Sequence, residues 1–113
     1  MRFIKNSKIL IVGLGLMGGS YAQALTDLGY EVGGLARRQE VIDYALNKGY
    51  IRHGGITVEK EYIGQFDVIV FALYPHVFID WLRDYQDYIK SGALLTDVTG
   101  VKGSVVYEVQ KLL

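Results

Sequence analysis

The feature that most constrains this chain is a set of spaced glycines between an apolar run and a helical pattern. Gly13, Gly15 and Gly18 form a G-x-G-x-x-G sequence that follows the apolar run Lys8–Val12. In a strand, turn and helix unit, the first glycine permits a tight turn and the second lets the backbone approach a pyrophosphate. The third lets the helix pack closely on the strand. We therefore expect a phosphate-binding turn formed by Gly13, Gly15, Leu16, Met17 and Gly18.

The first half of the chain alternates between strand and helix patterns. Apolar residues recur at helical spacing from Met17 to Leu28, and a second strand is predicted at Glu31–Leu35. The next helix contains Val41 and stops at Gly49. Beyond it, the pattern predicts a brief strand near residues 50 and 51 and a short helix around residues 58–63.

The second half continues the alternation. Residues 67–73 give the strongest strand prediction, and their apolar character places that strand in the centre of a sheet. We predict a helix from Pro75 to near Gly92, a strand at residues 93–98 and a helix at residues 103–113. Such alternation favours parallel strands joined by right-handed crossovers. The predicted fold is α/β, a Rossmann-type doubly wound parallel sheet with helices on both faces, forming one dinucleotide-binding domain over residues 1–113.

The segment after the second predicted strand bears on the choice of cofactor. About 20 residues beyond the glycine turn, an NAD-binding domain usually carries an acidic residue for the ribose 2′-hydroxyl. This chain has Ala36, Arg37 and Arg38 there, and arginine can bind phosphate with paired hydrogen bonds. We therefore predict NADP, with NAD as second choice. The alternative is that both arginines are solvated residues at a helix start, or that one stacks on adenine without selecting the cofactor.

Two further segments follow predicted strands and are expected to border the nicotinamide and its ribose. Ligands of open parallel sheets lie across the carboxyl ends of the strands. Leu73, Tyr74 and Pro75 occupy one such end, and residues 96–100 occupy another. A purely structural role for Pro75, at the start of a helix, is the alternative.

Composition excludes several other classes of protein. The 12 Lys and Arg residues balance the 12 Asp and Glu residues, so we expect neither a nucleic-acid-binding nor an anionic-membrane-binding surface. No apolar run approaches the roughly 20 residues of a membrane span. The chain has no cysteine, which is compatible with a cytoplasmic protein, and its two histidines form no cluster with carboxylates at metal-ligand spacing.

Two motifs in order resemble the prephenate and arogenate dehydrogenases. Residues 13–20, Gly-Leu-Gly-Leu-Met-Gly-Gly-Ser, are similar to the G-L-G-L-I/M-G-G-S opening of that family. Residues 96–103, Thr-Asp-Val-Thr-Gly-Val-Lys-Gly, are similar to its T-D-V-G-S-V-K-G segment. The resemblance covers essentially the whole chain.

The resemblance implies an NAD(P)-dependent oxidoreductase of tyrosine biosynthesis. Its reaction is the oxidative decarboxylation of prephenate or arogenate, with hydride transfer to the nicotinamide. In the family, a histidine beyond the second motif acts as base, and a helical domain binds substrate and forms a homodimer. We expect both to be absent from this chain, whose end within a predicted apolar helix suggests truncation. No residue is therefore predicted to be catalytic, and His53 and His76 are predicted to be surface or helix-start residues.

One departure and two alternatives remain open. Gly100 stands where the family often has serine, and Thr99, just before it, could supply a hydroxyl from a shifted position. Asp97 and Lys102 are candidates for local structure or for contacts with substrate. The chain could also be a freestanding NADP-binding regulatory module, or part of another reductase similar to the 3-hydroxyacid dehydrogenases.

Overall fold

The computed structural model describes residues 7–98 and 105–108, and at Leu16, Met17 and residues 105–108 it describes the backbone alone. The described strands are β1 Lys8–Val12, β2 Glu31–Leu35, β3 His53–Gly55, β4 Val68–Phe71, β5 Leu94–Asp97 and β6 Val105–Glu108. The described helices are α1 Leu16–Asp27, α2 Gln39–Asn47, α3 Lys60–Ile63 and α4 Pro75–Tyr85, with a 3₁₀ turn at Gln86–Tyr88 after α4.

All the described strands belong to one sheet with the order β3-β2-β1-β4-β5-β6. Strands β1 to β5 pair in parallel, and β6 pairs antiparallel with β5. The chain moves outward from β1 to β3 and then returns to place β4 on the other side of β1. This reversal of direction creates a switch point between β1 and β4, where open parallel sheets bind ligands. The predicted Rossmann-type α/β fold is confirmed.

Helices cover the sheet on both faces because successive strand side chains point to opposite sides. On one face, Ile9 and Ile11 of β1 belong to the same buried cluster as Ala22 and Leu25 of α1 and Ile42 of α2. On the other face, a second buried cluster includes residues of β1, α3, β4 and α4, among them Leu10, Val12, Ile63, Ile69, Phe71, Phe78 and Trp81. Burial from both sides explains why β1 and β4 are almost continuously apolar.

The predicted position of the third strand and the predicted end of the fourth helix differ from the structure. The strand predicted near residues 50 and 51 lies at His53–Gly55, where the backbone pairs with Gly33–Leu35. Ile51 is apolar because it is buried just before this strand, and two glycines weaken the strand signal within it. Helix α4 ends at Tyr85 and not near Gly92, since Tyr85 leaves the helical conformation and Ile89 is extended.

The helix predicted at residues 103–113 is wrong at residues 105–108, which form β6. Val105, Val106 and Tyr107 are residue types that favour strands, and the edge of β5 offers them an antiparallel partner with Asp97 opposite Val105. The rest of the predicted helix lies outside the described residues. None of the described helices combines the length and the apolar character that a membrane span requires.

Candidate nucleotide-binding site

A cavity of about 630 Å³ opens at the carboxyl ends of β1, β2 and β4. Loops that are far apart in sequence meet there because the strands they follow are neighbours in the sheet. The lining residues are Gly13, Leu14, Gly15, Gly18, Ala36, Arg37, Arg38, Val41, Ala72, Leu73, Tyr74, Pro75 and Val77. This set includes nine of the eleven residues predicted to contact a cofactor. The side chains of the other two, Leu16 and Met17, lie outside what the structure describes.

Two of the turn glycines are required by the fold of the chain itself. Gly13 has φ +94°, and a Cβ atom there would lie 2.6 Å from the carbonyl oxygen of Ala72. A Cβ atom on Gly18 would lie 1.8 Å from the carbonyl oxygen of Gly13. The first contact holds the turn against the segment after β4, and the second brings the start of α1 against the end of β1. Both agree with the turn and packing roles of the first and third glycines.

No contact among the described residues requires a glycine at the position of Gly15. Its φ is −71°, which any residue can adopt, and a Cβ atom there would meet nothing within 4 Å among the described residues. The backbone of Gly15 faces open space and lines the cavity. A side chain would therefore occupy volume that the cavity offers to a bound molecule.

Helix α1 begins at this turn with an uncovered N-terminus. Gly15 is the N-cap residue, no side chain caps the helix, and its first turn carries no acidic residue. The first N–H groups of a helix have no partner within the helix and carry a partial positive charge. The turn is therefore suited to an anion such as a pyrophosphate.

The glycine turn is tied to the end of β2, where the two arginines lie. The Gly13 N–H donates to the carbonyl oxygen of Leu35 at 2.9 Å. Beyond Leu35, Arg38 is the N-cap residue of α2, and its guanidinium is bound by Glu40. Arg37 is exposed on the cavity wall. Arg37 and Arg38 therefore line the same cavity as the glycine turn.

The segment after β4 forms the opposite wall. The Ala72 N–H donates to Val12 at 2.9 Å, which holds the end of β4 beside β1. Tyr74 is extended and exposed, and Pro75 occupies the first turn of α4, a position where its missing N–H costs nothing. The cavity is thus lined by Arg37 and Arg38 and also by Leu73, Tyr74 and Pro75. The contact of the last three residues with nicotinamide stays a prediction.

A second cavity of about 260 Å³ adjoins the first. It shares Gly13, Ala36, Arg37, Leu73 and Val77 with the larger cavity, and its other lining residues are apolar or aromatic: Val12, Leu35, Ile56, Val58, Trp81 and Tyr85. Sequence reasoning missed Val41 and Val77, which lie on the first turns of α2 and α4. Their helical positions could have revealed them, because both helices start at the carboxyl end of a strand.

Neither His53 nor His76 is among the residues that line the cavity. His76 lies at the start of α4, as predicted, and its ring stacks on Tyr74 with an interplanar angle of 10°. His53 lies in β3 between Tyr62 and Glu31, with ring nitrogens 2.7 Å and 3.2 Å from their oxygens. His53 was predicted to be a surface residue, but its side chain is partly buried in a polar network. The hydrogen bond from His53 lowers the pKa of Glu31.

The second motif is only partly described. Thr96 is buried in β5, and the Asp97 backbone pairs in register with Phe71. Thr99, Gly100 and Lys102 lie outside the described residues. Among the described residues, no group of three His, Asp or Glu side chains could hold a metal ion.

The parallel sheet, its switch point and the glycine turn define this chain as a Rossmann-type nucleotide-binding domain. A family model described as prephenate dehydrogenase, nucleotide-binding domain, matches residues 21–113, and the chain belongs to this family. No curated protein sequence matches the chain.

Several solved structures are similar. Arogenate dehydrogenase from Synechocystis has a TM-score of 0.76 and 26% identity, over 83% of this chain and 33% of that one. Prephenate dehydrogenase from A. aeolicus, solved with hydroxyphenyl propionate and NAD+, has a TM-score of 0.72 and 26% identity, over 86% and 35% of the two chains. The 3-hydroxyisobutyrate dehydrogenase of Mycobacterium tuberculosis shares the fold at 20% identity, with a TM-score of 0.71 over 82% and 31%. The chain spans about a third of the length of these relatives.

Proposed function

We propose that the 630 Å³ cavity binds a nicotinamide dinucleotide, with the pyrophosphate over Gly15 and the N-terminus of α1. The observation that carries this proposal is the contrast among the three glycines. Gly13 and Gly18 are explained by contacts within the chain, whereas the space beside Gly15 is open. The absence of a side chain at Gly15 is explained by a ligand that approaches the backbone there.

The remaining walls suit the rest of such a ligand. The cavity volume lies in the range of about 300–1,000 Å³ that small-molecule sites occupy. Apolar side chains from Val41, Leu73 and Val77 can contact flat rings, and Arg37 and Arg38 can contact charged groups. When bound, the dinucleotide supplies a nicotinamide that accepts or gives a hydride; this chain's residues bind and orient it.

Within this proposal, NADP is the preferred cofactor. Arg37 and Arg38 follow β2, where a ribose 2′-phosphate would lie, and the residues from Leu35 to Arg38 contain no carboxylate. Guanidinium groups bind phosphate through paired, charge-assisted hydrogen bonds. NAD remains the second choice, and the NAD+ in the complex of the A. aeolicus prephenate dehydrogenase supports it.

The whole protein, in this proposal, carries out the oxidative decarboxylation of prephenate or arogenate. Family membership and the similar prephenate and arogenate dehydrogenases support it. The chain described here would hold the cofactor, and the base, substrate pocket and homodimer contacts would come from other parts of the protein. We expect this 113-residue chain to bind dinucleotide without oxidising either substrate.

Calorimetry with NADP and NAD tests the binding proposal. Gly15→Ala is expected to weaken binding at least about tenfold, because the added methyl group occupies the pyrophosphate position. Its melting temperature should stay close to that of the original chain, since the methyl group meets nothing within 4 Å. Gly18→Ala is the contrasting variant and should lose stability, because its Cβ atom would lie 1.8 Å from the Gly13 carbonyl oxygen. Unchanged affinity in a folded Gly15→Ala variant would contradict the proposed pyrophosphate position.

The same titrations test cofactor choice. NADP should bind more tightly than NAD, and Arg37→Ala should reduce this difference by about tenfold, in line with the loss of a charge-assisted contact. Equal or tighter binding of NAD to the original chain would contradict the NADP proposal and leave dinucleotide binding intact. Absorbance at the wavelength of the reduced nicotinamide tests turnover, and oxidation of prephenate or arogenate by this chain alone would contradict the division of roles.

A further inference from the structure

Beside the predicted phosphate site, Glu40 binds one of the two arginines. Its Oε1 atom lies 2.6 Å from Nε and 2.5 Å from Nη2 of Arg38. These two nitrogens form the edge of the guanidinium that would make a paired contact with a phosphate. In this arrangement the edge is occupied by a carboxylate of the chain itself.

Glu40 also lies at the border of the proposed cofactor cavity. It lines a groove of about 490 Å³ between α1 and α2, and this groove shares Leu14, Gly15 and Val41 with the cavity. The carboxylate is in the first turn of α2, where the helix dipole favours a negative charge. Its side chain is 65% exposed and that of Arg38 is 73% exposed, so the pair is accessible to a ligand.

We propose that Glu40 competes with the ribose 2′-phosphate for Arg38 and thereby limits the preference for NADP over NAD. This inference rests on the proposed dinucleotide site. A 2′-phosphate that binds the Nε and Nη2 edge has to displace Glu40, and the displaced carboxylate then remains near a second anion. NAD has a neutral hydroxyl at the same place and meets neither cost.

Arg37 and Arg38 consequently have different roles. The described residues show no ion pair at Arg37, which is exposed on the cavity wall, so its guanidinium is available to the phosphate from the outset. Arg38 contributes only to the extent that Glu40 releases it. Glu40 is therefore a specificity-determining residue that acts through Arg38.

Glu40→Gln tests this role because it removes the charge and keeps the shape of the side chain. NADP affinity should rise about fivefold, the size of effect typical of one exposed ion pair, and NAD affinity should stay within about twofold. Asp43→Asn is the matched control. Asp43 is an exposed carboxylate one turn further along α2, bound to Gln39, and its loss should change neither affinity by more than about twofold.

A second comparison separates competition for Arg38 from a general effect of charge. In an Arg38→Ala background, Glu40→Gln should no longer improve NADP binding, because there is no guanidinium to release. A gain of equal size in that background would overturn the inference, as would an unchanged or lower ratio of NADP to NAD affinity in Glu40→Gln alone. Failure of the original chain to bind either dinucleotide would instead overturn the proposed function on which the inference rests.

Discussion

The hydroxyl group of Tyr62 lies 2.7 Å from Nδ1 of His53 and directly over the backbone of Gly33. On the far side of the ring, Nε2 of His53 lies 3.2 Å from a carboxylate oxygen of Glu31. A carboxylate only accepts hydrogen bonds, so in the neutral ring Nε2 donates to Glu31 and the Tyr62 hydroxyl donates to Nδ1. This network joins β2, β3 and α3 at the edge of the sheet, where β3 contributes only three residues.

Gly33→Ala is expected to destabilise the protein. A Cβ atom at this position would lie 2.5 Å from the Tyr62 hydroxyl and 2.8 Å from the His53 ring, and overpacking of this kind typically costs about 1–3 kcal/mol. Gly55→Ala is the control, since a Cβ atom there meets nothing within 4 Å. Urea unfolding followed by circular dichroism measures both. Equal stability of the two variants would show that the network adjusts to a methyl group.

Tyr62→Phe should lower the free energy of unfolding by about 1 kcal/mol, because Nδ1 of His53 loses its hydrogen-bond donor. Tyr44→Phe is the control, as Tyr44 is exposed and its hydroxyl has no hydrogen bond to a described residue. Urea unfolding at neutral pH measures both variants. A Tyr62→Phe protein as stable as the control would mean that the Tyr62 hydroxyl makes no net contribution to the free energy of unfolding.

The Tyr62 hydroxyl should also lose its proton at a higher pH than an ordinary tyrosine does. Burial raises the pKa of Tyr62 from 10.0 to about 12, so its neutral form stabilises the folded state below pH 10 and this contribution is lost as the pH rises toward 12. The ultraviolet absorbance of tyrosinate should show an ionisation step near pH 12 that is missing in Tyr62→Phe. A step that persists in the variant would assign it to another tyrosine.

The central strands and the glycine turn could be predicted because their signals are local. β1 and β2 were predicted with the bounds that the structure shows, since each begins at a charged residue and continues as a run of apolar residues and glycine. β3 and β6 depend on pairing with β2 and β5, and such long-range contacts leave a weak pattern in a strand of three or four residues. The contact between Glu40 and Arg38 could not be predicted, because it depends on the conformations of two exposed side chains at the start of α2.

Asp67 is expected to support stability at neutral pH and to lose this role in acid. Burial acts to raise its pKa, but the hydrogen bond from Lys90, the Lys8 backbone N–H at 2.9 Å and the two positive charges outweigh it. The net result is a pKa below the ordinary value of 3.8. A depressed folded-state pKa gives stability that is present above the unfolded-state pKa and lost as the pH falls through the folded-state value.

Asp67→Asn should therefore be less stable than the original chain at pH 7, and the difference should shrink steadily below about pH 4. Asp80→Asn is the matched control, because Asp80 pairs with Arg83 on the exposed face of α4 and such pairs contribute little. Thermal unfolding between pH 2 and pH 7 gives the comparison. A difference that stays constant across this range would rule out the charge of Asp67 as its source.

Thr96→Val should be neutral or stabilising. Thr96 is 3% exposed, and its hydroxyl has no hydrogen-bond partner among the described residues. A buried hydroxyl without a partner costs free energy, and valine has nearly the same shape, so the change should stabilise by up to about 1–2 kcal/mol. Thr26→Val is the contrasting variant, because its hydroxyl donates to the Tyr50 carbonyl oxygen at 2.7 Å and its loss should cost about 1 kcal/mol. Urea unfolding measures both variants, and a Thr96→Val protein as destabilised as Thr26→Val would contradict a net cost of the buried Thr96 hydroxyl.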